Sequence, residues 1–201
     1  MLYWTSAVAW EPPPPADLTD TYVSMPLLKA LTHHLDAYLA RHPDEQGDLQ
    51  PLLSGLGESD DLWNRKNMSG HLTATALVLA DQDRKVFMIR HKALNRWLAP
   101  GGHVDPGEMP SEAASRELEE ETGLIGTSIL KEPIDIDIHT IPPRPSKNEG
   151  EHFHFDFRYV MRSDSLSIPK LESSEIIQSE WQDLEALKHA YARVYRKLMA
   201  A

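Results

Sequence analysis

Residues 102–124 read GHVDPGEMPSEAASRELEEETGL, and the fold prediction starts from this stretch. Its first part is rich in glycine, which permits turns and the close approach of other groups to the backbone. Pro110 suits the first position of a helix, and Gly123 suits the position just after its end. The stretch therefore predicts a glycine-rich loop that leads into a helix over residues 110–122.

Three carboxylates of this helix, on Glu117, Glu120 and Glu121, fall within an arc of about 100° at helical periodicity. Like charges at this spacing repel one another, and the helix dipole disfavours anions near the C-terminal end. Helix stability therefore does not explain the cluster. Oxygen ligands of this kind are what Mg²⁺ or Mn²⁺ requires, so the arrangement predicts a divalent cation site. A solvated acidic face is the alternative interpretation.

The same stretch resembles the Nudix box, a pattern of fixed residues at fixed spacing. The pattern runs glycine, five residues, glutamate, seven residues, Arg-Glu, an aliphatic residue, any residue, Glu-Glu, any residue, glycine and an aliphatic residue. The preceding segment, WLAPGG at 97–102, is also similar to the strand that enters the box in that family. All the fixed positions are filled, by Gly102, Glu108, Arg116, Glu117, Leu118, Glu120, Glu121, Gly123 and Leu124.

The resemblance implies a metal-dependent hydrolase that cleaves a diphosphate linkage in a nucleotide-like substrate. It implies that the carbonyl of Gly101 and three glutamates bind Mg²⁺ or Mn²⁺, and that Glu108 and Arg116 orient these ligands. Arg116 lies four residues before Glu120, so its planar fork can hold that carboxylate. The implied metal ligands are Gly101, Glu117, Glu120 and Glu121, and the implied catalytic residues are Glu108, Arg116, Glu120 and Glu121.

A further carboxylate outside the box often serves as base or ligand in this family. Glu149 and Glu151 lie in a polar loop that contains proline and glycine, just before an aromatic strand. Either could accept the proton from the attacking water, and we expect Glu151 to matter more because it is adjacent to the strand. The alternative is that both are solvent-facing loop residues.

Phe153, Phe155 and Phe157 alternate with polar residues, which predicts a half-buried strand over 152–158. The polar face could contact a phosphate or form an imidazole–carboxylate metal site, but a solvent-facing surface is the more usual outcome. The basic group Arg90, His91 and Lys92 could also bind a phosphate, but an ordinary surface role is again the more usual outcome. The polar face consists of His152, His154, Asp156 and Arg158, and nothing in the spacing alone adds His71, His91 or His103 to it.

Interspersed strands and helices predict an α/β protein, and the resemblance implies an α/β/α sandwich around a mixed sheet. Residues 72–79 and 85–89 predict a hairpin, and 183–199 predicts a C-terminal helix. Residues 1–67 are expected to form an N-terminal arm and helical extension, with four prolines at 12–15 and a leucine-rich helix over 26–41. The Nudix-like domain is then expected to cover 68–201.

Composition narrows the classes of function. The net charge is -11, from 31 acidic and 20 basic residues, which disfavours binding to DNA or RNA. The absence of cysteine excludes disulfides and thiolate metal sites, and no apolar stretch is long enough for a membrane span. We therefore expect a cytoplasmic protein with a small-molecule partner, and the leucine-rich helix leaves a homodimer open.

The box alone does not select the substrate among the nucleoside diphosphate derivatives on which the family acts. Isopentenyl diphosphate isomerisation, which also uses this fold, relies on a cysteine that this chain lacks. A nucleotide-sensing or protein-binding module without turnover is the alternative to hydrolysis, because one fold can host different functions.

Overall fold

The computed structural model describes residues 25–58, 61–80, 82, 84–128, 131–166, 168 and 175–200. The arm 1–20, with its proline run, and Asp81 and Asp83 of the predicted hairpin turn lie outside these residues. The helices are α1 (Met25–Arg41), α2 (Gln50–Glu58), α3 (Pro110–Thr122), α4 (Leu187–Ala190) and α5 (Ala192–Ala200). The strands are β1 (His71–Ala80), β2 (Lys85–His91), β3 (Arg96–Leu98), β4 (Gly101–His103), β5 (Thr127–Ser128), β6 (Asp135–Ile141), β7 (His152–Arg162) and β8 (Ile176–Asp183).

The sheet is mixed and is built around β1 and β7. These two strands run parallel, with His71 opposite His154 and Leu79 opposite Arg162. On its other side, β1 pairs antiparallel with β4 near its start and with β2 at its end, where the predicted hairpin forms. Strands β5 and β6 pair antiparallel with β7, while β3 and β8 pair antiparallel with β2.

One face of the sheet packs against α1, α2 and α3. Alternate residues of β1 and β7 supply the apolar side chains of this face, because successive side chains of a strand point to opposite sides. On the helical side, the leucine stripe of α1 packs into the same core. The buried residues of this layer include Leu31, Leu35, Tyr38, Leu52, Leu72, Ala74, Ala76, Ala113, Ala114, Leu118, Phe155, Phe157 and Tyr159.

The opposite face is apolar at one end and polar at the other. Leu77, Leu79 and Val160 lie beneath Leu187 and Val194 of the C-terminal helices. The other end carries the remaining inward-facing side chains of the same strands, which are histidines, threonines, aspartates and an arginine. Helices on both faces of a mixed sheet confirm the predicted α/β/α sandwich with a helix preceding the sheet.

Two predictions about local structure were wrong. The helix expected over 183–199 is interrupted at Tyr191, whose hydroxyl accepts a hydrogen bond from the Ala99 N–H at 3.0 Å, and residue 183 belongs to β8. The strand expected over 152–158 is not half-buried throughout: Phe153 is 36% exposed, but from Phe155 onward helices cover one face and paired polar groups occupy the other. His152, Asp156 and Arg158 are at most 9% exposed, so the solvent-facing interpretation of this surface was also wrong.

Within the described part of the chain, none of the helices has the length and apolar character that crossing a bilayer requires.

Candidate active site

Helix α3 holds the acidic cluster, and both of its ends form as the sequence predicted. Pro110 occupies the first turn, and the Met109 N–H donates to the Glu112 carboxylate at 2.7 Å. Gly123 ends the helix in the left-handed conformation, with φ of 69°. Ala113, Ala114 and Leu118 are buried against the sheet, which leaves the three glutamates on the remaining surface of the helix.

Strand β4 lies directly against these glutamates. A Cβ atom added to Gly102 would lie 2.4 Å from Glu117 Cδ, so only glycine leaves room for the carboxylate. The Gly101 N–H donates to Glu121 Oε2 at 3.1 Å. A Cβ on Gly101 would lie 2.4 Å from the Ala74 carbonyl oxygen, so this glycine is also required for the contact between β4 and β1.

Arg116 connects the carboxylates of the box. Its guanidinium donates to both oxygens of Glu108, at 2.6 and 3.2 Å, and to the His103 carbonyl at 2.9 Å. Its Nη1 lies 3.0 Å from Glu117 Oε1 and 3.2 Å from Glu120 Oε2. These hydrogen bonds, led by the one to Glu108, raise the pKa of Arg116 above its usual range. One cation therefore positions three of the carboxylates.

The acidic cluster keeps more negative charge than Arg116 neutralises. Burial raises the pKa of Glu117, and burial together with neighbouring carboxylates raises the pKa of Glu121 to about 7. Glu120 is the most open of the three, with its side chain 60% exposed. Two half-buried carboxylates and an exposed one, next to a glycine backbone, provide the hard oxygen donors that Mg²⁺ and Mn²⁺ prefer. The residues present therefore fit such a cation.

The N-terminal extension reaches the box through Trp63. The indole N–H of this buried residue donates to the Glu108 carbonyl at 2.8 Å. Glu108 also accepts from the Asp105 N–H at 2.6 Å, so its loop is held from two sides. Trp63 lies 45 residues before Glu108 in the sequence, so no local pattern connects it to the box.

The loop carboxylates lie in different surroundings. Glu151 is exposed, and no hydrogen bond or ion pair joins it to a box residue in the described part of the chain. Glu149 is half-buried, lies 2.8 Å from Arg144 Nε, and its charge acts on His71 and His103. Glu175, which the sequence did not single out, contributes to the raised pKa of Glu121 and is therefore near the box.

The predicted polar face of β7 contains two distinct groups. Asp156 and Arg158 belong to a buried ion network, in which Arg158 contacts Asp135 and Asp156 at 3.0 and 2.9 Å. His152 and His154 instead join histidines from other strands. Their rings, with those of His71, His103 and His139, have neighbouring centroids 4.8 to 5.5 Å apart.

The basic residues at the end of β2 belong neither to the ion network nor to the histidine group. Arg90 donates to the Asn95 side chain at 2.8 and 3.2 Å, and His91 lies 3.6 Å from Glu175. His91 therefore stays outside the histidine cluster, whereas His71 and His103 belong to it. His139 was not foreseen, since its strand was not predicted.

Comparison with known proteins agrees with this architecture. The model of the NUDIX domain family matches residues 70–201. A solved structure, the dihydroneopterin triphosphate pyrophosphohydrolase of E. coli, aligns with a TM-score of 0.51 at 14% identity, covering 65% of this chain and 96% of that one. At this identity the likeness concerns the fold alone.

Two curated relatives are similar in sequence. A probable DHNTP pyrophosphohydrolase of Lactococcus lactis subsp. cremoris is 38% identical over 106 residues, which is 53% of this chain and 63% of that protein. An RNA pyrophosphohydrolase of Bartonella quintana is 32% identical over 118 residues, which is 50% of this chain and 68% of that protein. The match thus spans less than two thirds of the Lactococcus protein. The family model matches about two thirds of this chain, and every fixed position of the box, from Gly102 in β4 to Leu124 after α3, is filled. The chain therefore belongs to the Nudix family.

Proposed function

We propose that the chain is a metal-dependent pyrophosphohydrolase that cleaves a diphosphate linkage with water. The observation that carries this proposal is the gathering of Glu117, Glu120 and Glu121 around Arg116 and the backbone of β4. The pKa of Glu121, raised by burial and by the neighbouring carboxylates, supports it, because a bound cation would offset both effects. A purely structural acidic cluster would not need glycines that allow carboxylates to contact the backbone.

The three glutamates and the Gly101 carbonyl would hold Mg²⁺ or Mn²⁺. When bound, the cation supplies positive charge to the phosphate oxygens and favours deprotonation of water. Arg116 restrains the directions in which Glu117 and Glu120 point, and Glu108 holds Arg116 in turn. The contacts from Glu108 to Arg116, and from Arg116 to Glu117 and Glu120, limit the motion of the ligand carboxylates before the substrate binds.

A carboxylate outside the box would accept the proton of the attacking water. Glu151 and Glu149 remain the proposed acceptors, in the loop before β7. The proximity of Glu149 to the strands that enter the box favours it on geometric grounds, while Glu151 has the more open position. Neither assignment affects the metal ligands.

The proposed substrate is a small-molecule triphosphate or diphosphate derivative. The relative with 38% identity acts, by its name, on dihydroneopterin triphosphate, and the net charge of -11 opposes the approach of a long polyanion. The RNA pyrophosphohydrolase relative makes the triphosphate end of an RNA the second candidate. These two candidates share the reacting group and differ in what is attached to it.

A substrate panel tests the proposal. Dihydroneopterin triphosphate, deoxynucleoside triphosphates, a nucleotide sugar and a short RNA with a 5′ triphosphate are incubated with Mg²⁺ or Mn²⁺, and products are identified by mass. We expect turnover of a small molecule with kcat/KM at least about 10-fold above that of the RNA. Preference for the RNA would select the second candidate. Nucleotide binding without turnover of any compound would overturn hydrolysis and favour a sensing module.

A further inference from the structure

Five histidines meet on the polar end of the sheet, opposite the face that packs against α3. Residues aligned across β1, β7 and β6 bring three of them side by side, since His71 is opposite His154 and His154 is opposite His139. His152 lies two residues before His154 on the same face of β7. His103 approaches from β4. Potential ligand atoms of His71, His152 and His154 all lie within 4.8 Å of one another.

The backbone determines which nitrogen of two rings carries the proton. His71 Nδ1 lies 3.3 Å from the Asn67 carbonyl oxygen, and His152 Nδ1 lies 2.8 Å from the Gly150 carbonyl oxygen. A carbonyl only accepts hydrogen bonds, so each Nδ1 is the donor. In the metal-binding form of such a ring, Nδ1 donates to the carbonyl and the Nε2 atom offers its lone pair to the metal.

The cluster leaves buried nitrogens without partners. His71 and His152 are 2% and 4% exposed, and the Nε2 atoms of His71 and His154 are buried with no hydrogen-bond partner among the described residues. A buried polar atom without a partner is unfavourable, and such atoms usually have a partner that completes them. These two unpartnered imidazole nitrogens belong to rings whose centroids are 4.8 Å apart, which indicates a shared partner.

That partner is a cation rather than a phosphate. The Nδ1 atoms of His71 and His152 donate to backbone carbonyls, so the ring nitrogens left for a ligand carry lone pairs. Neutral rings offer lone pairs, which repel phosphate oxygens and bind metal ions. Imidazole ligands suit Zn²⁺, Cu²⁺ and Ni²⁺, whereas Mg²⁺ prefers oxygen.

We propose that His71, His152 and His154 form a transition-metal site, with Zn²⁺ as its natural ion, separate from the carboxylate site of the box. The two sites lie on opposite faces of β4, because Gly102 faces Glu117 and the next residue, His103, faces the histidines. Zn–N bonds of 2.0–2.1 Å would place tetrahedral ligand atoms about 3.4 Å apart, so the ligand atoms, now within 4.8 Å of one another, would have to come closer on binding. His103 is the nearest further imidazole, and otherwise water completes the coordination.

The proposal does not depend on hydrolysis, and its test uses metal binding by the full chain. Protein freed of metal with EDTA and then dialysed is titrated with Co²⁺, whose visible absorption reports tetrahedral nitrogen ligation, and Zn²⁺ is used to displace it. We expect one such site per chain. Thermal unfolding is followed in parallel, and Zn²⁺ at about 100 times its Kd should raise the Tm by roughly 5–10 °C.

Variants separate this site from the box. His152→Gln and His154→Gln should each weaken Co²⁺ affinity at least about 10-fold, since each removes one ligand. His189→Gln, in an exposed position on α4, is the matched control and should leave it unchanged. Glu120→Gln should also leave the Co²⁺ absorption unchanged, because its carboxylate belongs to the other site.

Several results would overturn the proposal. Absence of the Co²⁺ absorption, or full affinity in both histidine variants, would exclude the site. Loss of binding in Glu120→Gln alone would assign the metal to the box. If the histidine variants do not fold, X-ray absorption at the cobalt edge of the wild-type protein decides, since three imidazole ligands support the proposal and an oxygen-only shell contradicts it.

Discussion

Gly102 is the residue at which strand β4 and helix α3 come closest. A methyl group in this position would overlap the Glu117 carboxylate, because the added Cβ would lie 2.4 Å from Cδ. The strand cannot retreat easily, since it is hydrogen-bonded to β1 on its other side. The Glu117 carboxylate can therefore occupy its position because residue 102 on the neighbouring strand has no side chain.

Gly102→Ala should lower kcat at saturating Mg²⁺ by at least about 10-fold, because displacing a ligand by a fraction of an ångström misplaces the reacting groups. Gly47→Ala, outside the box and the loop before β7, is the control, since no heavy atom lies within 4 Å of the added Cβ. Steady-state kinetics, with circular dichroism to verify folding, measure the effect. Equal rates in the two variants would show that Glu117 does not need this space.

The raised pKa of Glu121 has a consequence for stability in the absence of metal. Burial, with a smaller effect of the neighbouring carboxylates, raises the pKa of this carboxyl from its usual 4.5 to about 7 in the folded chain. Below pH 4.5 both states are protonated and the group contributes no penalty. As the pH rises from 4.5 to 7, the unfolded state loses its proton first, so the folded state is destabilised.

In EDTA, Glu121→Gln should therefore be more stable than wild type above pH 7, by on the order of 1–2 kcal/mol after allowance for solvent screening. The difference should shrink toward pH 4.5. Urea unfolding at pH 5 and pH 8 provides the measurement. A variant that is less stable than wild type at pH 8 would show that burial does not penalise this carboxylate.

At the scale of elements, the segments that local rules describe were predicted well. Helix α3 has a proline at its start and a glycine at its end, and α1 carries a leucine stripe, so both follow from short-range patterns. The hairpin of β1 and β2 likewise follows from two β-prone runs. These elements depend on residues that lie close together in the sequence.

Other elements depend on partners far along the chain. Strand β6, DIDIHTI, alternates polar and apolar residues, but its two aspartates pair with Arg158 and Arg193 rather than with solvent alone. The C-terminal segment has helical spacing throughout, yet pairing of Lys85 with Asp183 extends β8 into it. Sequence periodicity reports which residues could be buried and does not report which partner will bury them.

Dependence on residues far along the chain also limited the prediction of the carboxylate site and of the histidine cluster. The box is a local motif, so Glu117, Glu120 and Glu121 could be named from sequence, and Arg116 lies among them as expected. The histidine cluster uses β1, β4, β6 and β7, and it forms only through strand pairing over long distances. Trp63 also approaches Glu108 across 45 residues of sequence.

The loop before β7 holds the proposed proton acceptors. One of the variants Glu149→Gln and Glu151→Gln should lower turnover by about 10² to 10⁴, with nearly unchanged Mg²⁺ dependence, because the box ligands remain. Turnover of both variants is measured across the pH range at several Mg²⁺ concentrations. If both keep wild-type rates, the acceptor lies within the box or elsewhere.

At the scale of the whole molecule, an ion network joins the N-terminal extension to the C-terminal helix. Buried Asp135 accepts from Arg158, Arg193 and Lys197 at 3.0, 2.5 and 2.8 Å. Lys197 of α5 also lies 2.7 Å from the Tyr38 hydroxyl of α1. Residues 25–58 are thereby tied to the family domain, although the division into 1–67 and 68–201 remains a prediction.

Asp135→Asn should destabilise the fold by about 3–5 kcal/mol, because it removes the buried carboxylate that Arg158, Arg193 and Lys197 share. Asp183→Asn is the matched control. This residue pairs with Lys85 at 2.6 Å, but its side chain is 78% exposed, so the unfolding midpoint should hardly change. Chemical denaturation measures both, and an equally small effect in Asp135→Asn would show that the network contributes little.

The central claim is that the carboxylates of α3 hold a divalent cation used for diphosphate cleavage. The most direct measurement is the initial rate of cleavage, with products identified by ³¹P NMR, for wild type, Glu120→Gln, Glu121→Gln and Glu119→Gln at saturating Mg²⁺. Glu119 belongs to the same helix but is exposed and outside the cluster. We expect the first two variants to lose at least about 10²-fold in rate and Glu119→Gln to keep it. Near-wild-type rates in both Glu120→Gln and Glu121→Gln would contradict the account.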